Sequence, residues 1–311
     1  MSNRPKILVV GSINMDLAVR AARMPAPGET LLGEGFTMSP GGKGANQAVA
    51  AARLGGECRM IGRVGDDPFG RTLLDNLRTE GVACDDVAVT ERVASGTAMI
   101  VVDANGENSI VVAGGANLRV TPDDLFGRAE AFDWADIVLL QLELPLPTVR
   151  AAIQLARRHD CRFILDPAPA PNPMPEDLCE VDILSPNVSE AEIITGTKAV
   201  EERVDKNVAA DLVARGASAV VLKLGARGSL VVTADGHFYT VKPYKVTVVD
   251  TTAAGDAFTA ALAVAVARGE HLSDAAKFAN AAGALACSVF GAQTAMPTSD
   301  EVEVLMEDQS V

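Results

Sequence analysis

The sequence predicts an α/β protein: a mostly parallel sheet covered on both faces by helices, with a small β-sheet appended. Three observations lead there. Short apolar, β-rich runs alternate with helical stretches. Several of those runs stop abruptly at a glycine or an aspartate. Two segments break the alternation and read as β structure alone.

Taken in order, Ile7–Val10 ends in Gly11, and Ala48–Leu54 continues a helix of small residues. Asp136–Gln141 is a second apolar run, followed by a helical segment over Val149–Arg158. Arg162–Leu165 is a strand before Asp166-Pro167, and Ala219–Leu224 is another before Gly225. Ligands in such sheets bind at the carboxyl ends of strands, and most polar motifs here follow these runs. The segment Leu17–Met38 carries Pro25, Pro27, Gly28, Gly33 and Gly35 and little helical periodicity. Gly96–Val112 reads as two strands, Thr97–Val102 and Ser109–Val112, around the hairpin signal Asn105-Gly106. These two segments, about residues 17–40 and 96–113, form a lid subregion of a single domain over 1–311. Their position beside the polar motifs favours a lid over a simple β-extension. Pro167–Pro175 is the one irregular loop expected.

Composition narrows the function. Apolar residues make up 48% of 311, enough for a large core, and the net charge is -14. That balance opposes the phosphate attraction on which nucleic-acid binding depends, and it provides no basic surface for anionic lipid. An anionic ligand therefore needs local help from backbone N–H groups, helix ends or metal ions. The most apolar stretch, Ala257–Ala267, is 11 residues long and ends at Arg268, short of the ~20 that cross a membrane. The N-terminal run after Lys6 lacks the pattern of a signal peptide. Cys58, Cys84, Cys161, Cys179 and Cys287 are unclustered, as free thiols in a reducing, cytoplasmic compartment would be.

The chemistry is concentrated in Asp250-Thr-Thr-Ala-Ala-Gly-Asp256, which precedes an apolar helix, Ala257–Arg268, closed by Gly269. The side chains at its start are Ala253, Ala254 and Gly255, so nothing bulky keeps an anion from the positive end of the helix dipole. Asp256 sits at the same place. A carboxylate beside an anion hole can accept a hydroxyl proton while the hole holds a transferring phosphoryl group. From spacing alone, an ordinary N-capping aspartate is an equal reading.

Further polar residues lie after the early runs. Asn14, Asp16, Asn46 and Glu143, with backbone from Gly42, supply donors and acceptors suited to vicinal hydroxyls. Lys43 reads equally as a ligand-binding or a solvated lysine. Glycines 41, 42 and 44 equally allow a tight turn into a helix. Other chemistries lack their signals: there is no G-x-G-x-x-G and no Walker G-x-x-x-x-G-K-[ST]. His159, His237 and His271 are far apart, and Asp103–Glu107 reads as a hairpin turn rather than a calcium loop.

Four motifs, in order, resemble the ribokinase family of carbohydrate kinases, also called the phosphofructokinase B superfamily. They are Gly11-Ser-Ile-Asn14-Met-Asp16, Gly41-Gly42-Lys43-Gly44-Ala45-Asn46-Gln47, Asn187-Val-Ser-Glu190 and Asp250–Asp256. They span nearly the whole chain. The resemblance implies a three-layer α/β/α body with a β-sheet lid, and ATP-dependent phosphorylation of a small sugar, ribose expected, at its 5-hydroxyl. It implies Asp256 as the base, Ala253, Ala254 and Gly255 as the anion hole, and Asn14, Asp16, Gly42, Lys43, Asn46 and Glu143 as sugar-binding. It assigns Asn187, Lys223, Gly225, Gly228, Gly255 and Asn280 to the nucleotide, and Glu190 to Mg²⁺ through water.

An activating potassium ion is implied at Asp250, Thr252, Ala286, Val289, Gly291 and Ala295, and a homodimer through the lid. Two residues depart from the family pattern: Ala295 stands where Ser is frequent, and Lys223 where a small hydroxyl residue is frequent. The resemblance leaves open a kinase for deoxyribose, fructose or adenosine, or a non-catalytic sugar sensor. The low aromatic content, 4%, favours a free sugar over a nucleoside.

Overall fold

The apolar runs pair into one ten-stranded sheet. From the C-terminal edge its order is Phe238–Val241, Ser229–Thr233, Ala219–Lys223, Ile183–Leu184, Arg162–Leu165, Ile137–Leu140, Lys6–Val10, Glu57–Gly65 and Val82–Ala83, with Val87–Thr90 also paired to Glu57–Gly65. The pairings from Ala219–Lys223 to Val82–Ala83 are parallel, and the two edge strands beyond are antiparallel. The computed structural model describes residues 4–198 and 202–309; the ends of the expected domain and residues 199–201 lie outside them.

Helices cover both faces, and the alternation of side chains along each strand decides which face a residue serves. Ile7, Val9, Ile137 and Leu139 join one core with the helices Lys43–Arg53, Ala254–Ala267 and Leu272–Ala286. Leu8, Val10, Val138 and Leu140 join a second with Leu146–Arg158 and Val188–Thr195. This is the three-layer body.

The helix of small residues that Ala48–Leu54 continues begins at Lys43, directly after the glycine turn, because Gly42 adopts φ 90° and admits the chain from a strand. Leu146–Arg158 likewise begins earlier than expected, behind Pro145. The helix expected from Ala257 begins at Ala254, since Ala253 takes a left-handed φ of 58° and completes the turn beforehand.

The lid is a separate four-stranded sheet in the order Phe36–Gly41, Asn14–Arg20, Gly96–Val102, Asn108–Ala113. It starts at Asn14 rather than Leu17, because Asn14 pairs with both Gly41 and Gly96. The last strand is exposed along its length. The Asp103–Glu107 turn closes on itself: Asp103 Oδ1 accepts the N–H groups of Asn105 at 2.8 Å and Glu107 at 3.0 Å. Among the described residues no helix is long and apolar enough to cross a membrane.

Candidate active site

Where the strand Lys6–Val10 ends, Gly11 meets the first turn of the helix Lys43–Arg53. A Cβ on Gly44 would stand 2.6 Å from the Gly11 backbone, so the approach requires glycine. This contact brings two of the motifs together. Ser12 Oγ donates to Glu143 Oε2 at 2.5 Å, and the Lys43 N–H reaches the same oxygen at 3.3 Å. Glu143, which follows the neighbouring strand Ile137–Leu140, thus joins the glycine-rich helix start at the sheet's carboxyl edge.

Asp16 lies on the lid strand opposite Ser39, with its carboxylate over Gly41. Any Cβ on Gly41 would fall 2.1 Å from Asp16 Oδ2. Burial, then the charges of Glu143 and Asp256, push the Asp16 carboxyl up to about 7. Asn14 is buried, and its Oδ1 accepts from Asn117 Nδ2 at 2.7 Å. Asn117 also pairs with both backbone groups of Ile13; no sequence signal pointed to it.

The helix start carries the fourth motif. Its first i→i−4 bond runs from the Ala257 N–H to the Ala253 carbonyl at 2.9 Å, so the N–H groups of Gly255 and Asp256 precede the ladder. Ala254 differs from expectation, because its N–H turns back to the Thr251 carbonyl at 3.3 Å. Asp256 is buried, and its side chain does not cap the helix. Instead Oδ2 accepts from Asn46 Nδ2 at 2.9 Å and Oδ1 from Gln47 Nε2 at 3.2 Å. Burial pushes its carboxyl upward, with Lys43 opposing and Asp166 adding to the rise. Burial also works against the Lys43 charge, but Asp256, Asp166, Glu143 and Glu190 outweigh it and hold the ammonium protonated. Asn46 Oδ1, beside the base, is buried with no hydrogen-bond partner among the described residues. It is a buried acceptor beside Asp256 that a ligand donor could satisfy.

A second layer was missed by sequence reasoning. Gln47 Nε2 also donates to Asp166 Oδ2 at 3.1 Å, and Gln141 Nε2 donates to Gln47 Oε1 at 2.7 Å. Lys223 Nζ lies 3.0 Å from Asp166 Oδ1. Asp166 did have a signal: it follows an apolar strand and precedes a proline at the ligand-binding edge.

Asn187 and Glu190 form a reciprocal capping box, each side chain accepting the other's N–H at 2.8 Å. Burial raises the Glu190 carboxyl, with Lys223 pulling it down. Gly225 and Gly228 bound a short turn after Ala219–Lys223. A Cβ on Gly228 would meet the Val241 carbonyl at 2.1 Å. Asn280 Nδ2 donates to the carbonyls of Val241 at 3.3 Å and Lys242 at 3.0 Å. Gly228 and Asn280 therefore share one wall, although the Asn280 amide nitrogen is engaged by backbone.

Asp250 ties two loops together. Oδ1 accepts from Thr252 N at 2.9 Å and Thr252 Oγ1 at 2.7 Å, and Oδ2 from Gly291 N at 3.0 Å. Burial would raise this carboxyl, but those donors hold it below the usual range. Ala286 ends its helix, Val289 is exposed in the following loop, and Ala295 is buried beyond it.

Comparison with known proteins places this arrangement. The pattern of the pfkB family carbohydrate kinases matches residues 4–299. The ribokinase of Bacillus subtilis is 42% identical over 300 residues, covering 96% of this chain and 99% of that protein. The deoxyribokinase of Salmonella typhi is 35% identical over 296 residues, covering 95% and 96%. In structure, the Arabidopsis thaliana ribokinase complexed with ribose and ATP superposes with a TM-score of 0.91 at 34% identity, covering 98% of this chain and 99% of that one. With a family match across nearly its whole length and a fold to accompany it, the chain belongs to the pfkB family of carbohydrate kinases.

Proposed function

We propose that this protein transfers the γ-phosphoryl group of ATP to the 5-hydroxyl of ribose. The observation that carries the reading is Asp256: a buried, uncapping carboxylate at an anion-binding helix start, held by Asn46 and Gln47. Two donated hydrogen bonds fix its plane and leave lone pairs for a hydroxyl proton. A carboxyl raised by burial is a stronger base than an ordinary aspartate. As the sugar oxygen attacks phosphorus, its proton passes to Asp256, and the Gly255 and Asp256 N–H groups face the charge on the phosphoryl oxygens.

Asp16, Asn14, Asn46, Glu143 and the Gly42 backbone hold the other hydroxyls, with Lys43 balancing their charge. Among the described residues, the carboxylates of Asp16, Glu143, Asp166, Glu190 and Asp256 gather around two ammonium groups, Lys43 and Lys223. A triphosphate entering such a site needs further cations, so a magnesium-bound nucleotide fits, with Glu190 acting through water and Asn187 orienting it. Mg²⁺ supplies charge neutralisation on the phosphates when bound. Gly225, Gly228 and Asn280 form the nucleotide wall.

Potassium fits a site made mainly of carbonyls from Thr252, Ala286, Val289, Gly291 and Ala295. Asp250 then acts chiefly as the nearby charge, because its oxygens are already engaged. Ala295 contributes no hydroxyl. The lid's exposed strand, with Ile110 and Val111, supports a homodimer through that sheet.

Ribose is favoured over its 2-deoxy analogue because the polar pocket leaves a partner unpaired when a hydroxyl is missing, at about 1–3 kcal/mol. The deoxyribokinase relative makes that comparison the informative one. The test is ADP release with ribose, 2-deoxyribose, fructose and adenosine, with and without potassium. Preference for any of the last three over ribose overturns the substrate assignment.

A further inference from the structure

Two buried glutamines meet behind the base, one on the helix Lys43–Arg53 and one just past the strand Ile137–Leu140. The Gln47 amide nitrogen serves two carboxylates, 3.2 Å from Asp256 Oδ1 and 3.1 Å from Asp166 Oδ2. Both of its N–H bonds are thereby used. Its oxygen accepts from Gln141 Nε2 at 2.7 Å. Gln141 Oε1 lies against Gly11, where an added Cβ would stand 2.2 Å away. That oxygen is buried with no hydrogen-bond partner among the described residues.

These amides can point only one way. Turned over, the Gln47 carbonyl would face two carboxylates, and Asp256 Oδ1 would lose a donor. Gln141 secures the observed direction, because it offers an N–H to the Gln47 oxygen. A stabilising role explains the contact poorly. It leaves Gln141 Oε1 buried and unsatisfied, a cost that an apolar side chain of the same shape avoids. Asn46 holds the other Asp256 oxygen at 2.9 Å, so two amides together fix that carboxylate.

We propose that Gln141 is a positioning residue for phosphoryl transfer: by donating to Gln47 Oε1 it sets the direction of the Gln47 amide, and so the plane of the base. In this role it touches no substrate and acts only through Gln47. The charged groups facing Asp256 are Lys43 on the same helix as Gln47, Asp166 across the shared amide, and Asp16 on the lid. Burial drives the Asp256 carboxyl up and Asp166 adds to the rise, while Lys43 and the amides of Asn46 and Gln47 hold it down. Losing the Gln47 bond therefore lifts it further. The inference rests on the reading of Asp256 as the base.

The experiment follows single-turnover phosphoryl transfer across pH in the wild type, Gln141→Met, Gln141→Glu, Asp256→Asn and the double variant Gln141→Met/Asp256→Asn. Mg·ATP and the sugar that the wild type accepts are saturating, which removes binding, and Asp16 with it, from the profile. Thermal melts run alongside. In Gln141→Met the acid limb should move up by about one pH unit, an approximately tenfold loss of rate on that limb. In the Asp256→Asn background the same substitution should change the residual rate by less than about twofold, since its effect passes through the missing carboxylate. Gln141→Glu is an isostere that serves if Gln141→Met melts below the assay temperature. Protonated, it still donates to Gln47; ionised, it cannot. Its rate should therefore fall as pH rises while the melts still show folded protein, an alkaline limb that the wild type lacks. Three results make Gln141 structural and overturn the proposal: lower melting of Gln141→Met with an unmoved acid limb, equal rate losses with and without Asp256, or a Gln141→Glu profile that tracks the wild type. Near-normal transfer in Asp256→Asn overturns the base assignment itself, and this inference with it.

Discussion

Sugar affinity should follow the protonation of Asp16. Its carboxyl titrates at about 7 because it is buried beside Glu143 and Asp256. At pH 8 about nine-tenths of it is ionised, and at pH 6 about one-tenth. Sugar hydroxyls donate to the ionised form, so the association constant for ribose should fall roughly tenfold from pH 8 to pH 6. Stability runs the other way. A carboxyl raised in the folded state from an unfolded value of 3.8 stabilises the fold most at low pH. That contribution is lost as pH rises through about 7. Asp16→Asn should therefore bind ribose weakly, with little pH dependence, and should raise the melting temperature more at pH 8 than at pH 5. The assay is calorimetric titration of ribose into nucleotide-free enzyme from pH 5.5 to 8.5, paired with thermal melts. A flat wild-type profile, or a midpoint near 4, would refute the burial argument.

Asp256→Asn should lower kcat by about 10²–10⁴-fold while ribose affinity stays within a few-fold; near-normal turnover would exclude Asp256 as the base. Gly255→Ala meets only Lys223 Nζ at 3.7 Å and has room in the free enzyme. It should raise stability by about 0.5–1 kcal/mol, a melting shift of about 1–2 °C, yet raise KM for ATP because its methyl enters the phosphate space. An unchanged KM would move the phosphates elsewhere. Gly41→Ala strikes the Asp16 carboxylate directly. It should weaken ribose binding about tenfold or more while leaving AMP affinity unaltered, since a hydroxyl then loses its buried acceptor.

Much of this site was legible because its chemistry needs particular residue types at close spacing. Asp256 follows three small residues at a helix start, and Asn46 follows a glycine turn; both patterns survive without coordinates. The strand Arg162–Leu165 appeared in the structure with the same bounds, because a short apolar run ending in Asp166-Pro167 has few alternatives. The helix at Ala254–Ala267 was read late, since Ala253 is a non-glycine residue at positive φ and no local preference announces that. The Asn187–Glu190 motif shows the limit of spacing in another way. Its side chains satisfy each other as a capping box, a role that any soluble helix could require.

By itself the sequence determined the parallel α/β body, the β lid, the four polar motifs and the candidate base at Asp256. These depend on periodicity and near-neighbour chemistry, which a linear chain displays. Only the tertiary structure decided that Asp256 is bridged to Asp166 through Gln47, that Lys223 turns toward the helix start, and that Asn117 holds Asn14. It also decided that Asp16, a sugar-binding candidate by sequence, is sheltered on a lid strand close enough to Glu143 and Asp256 to titrate at about 7. Those contacts join residues as many as 209 positions apart. Charge, burial and a shared amide depend on distances in space, and a carboxylate's chemistry is set by what surrounds it after the chain has folded.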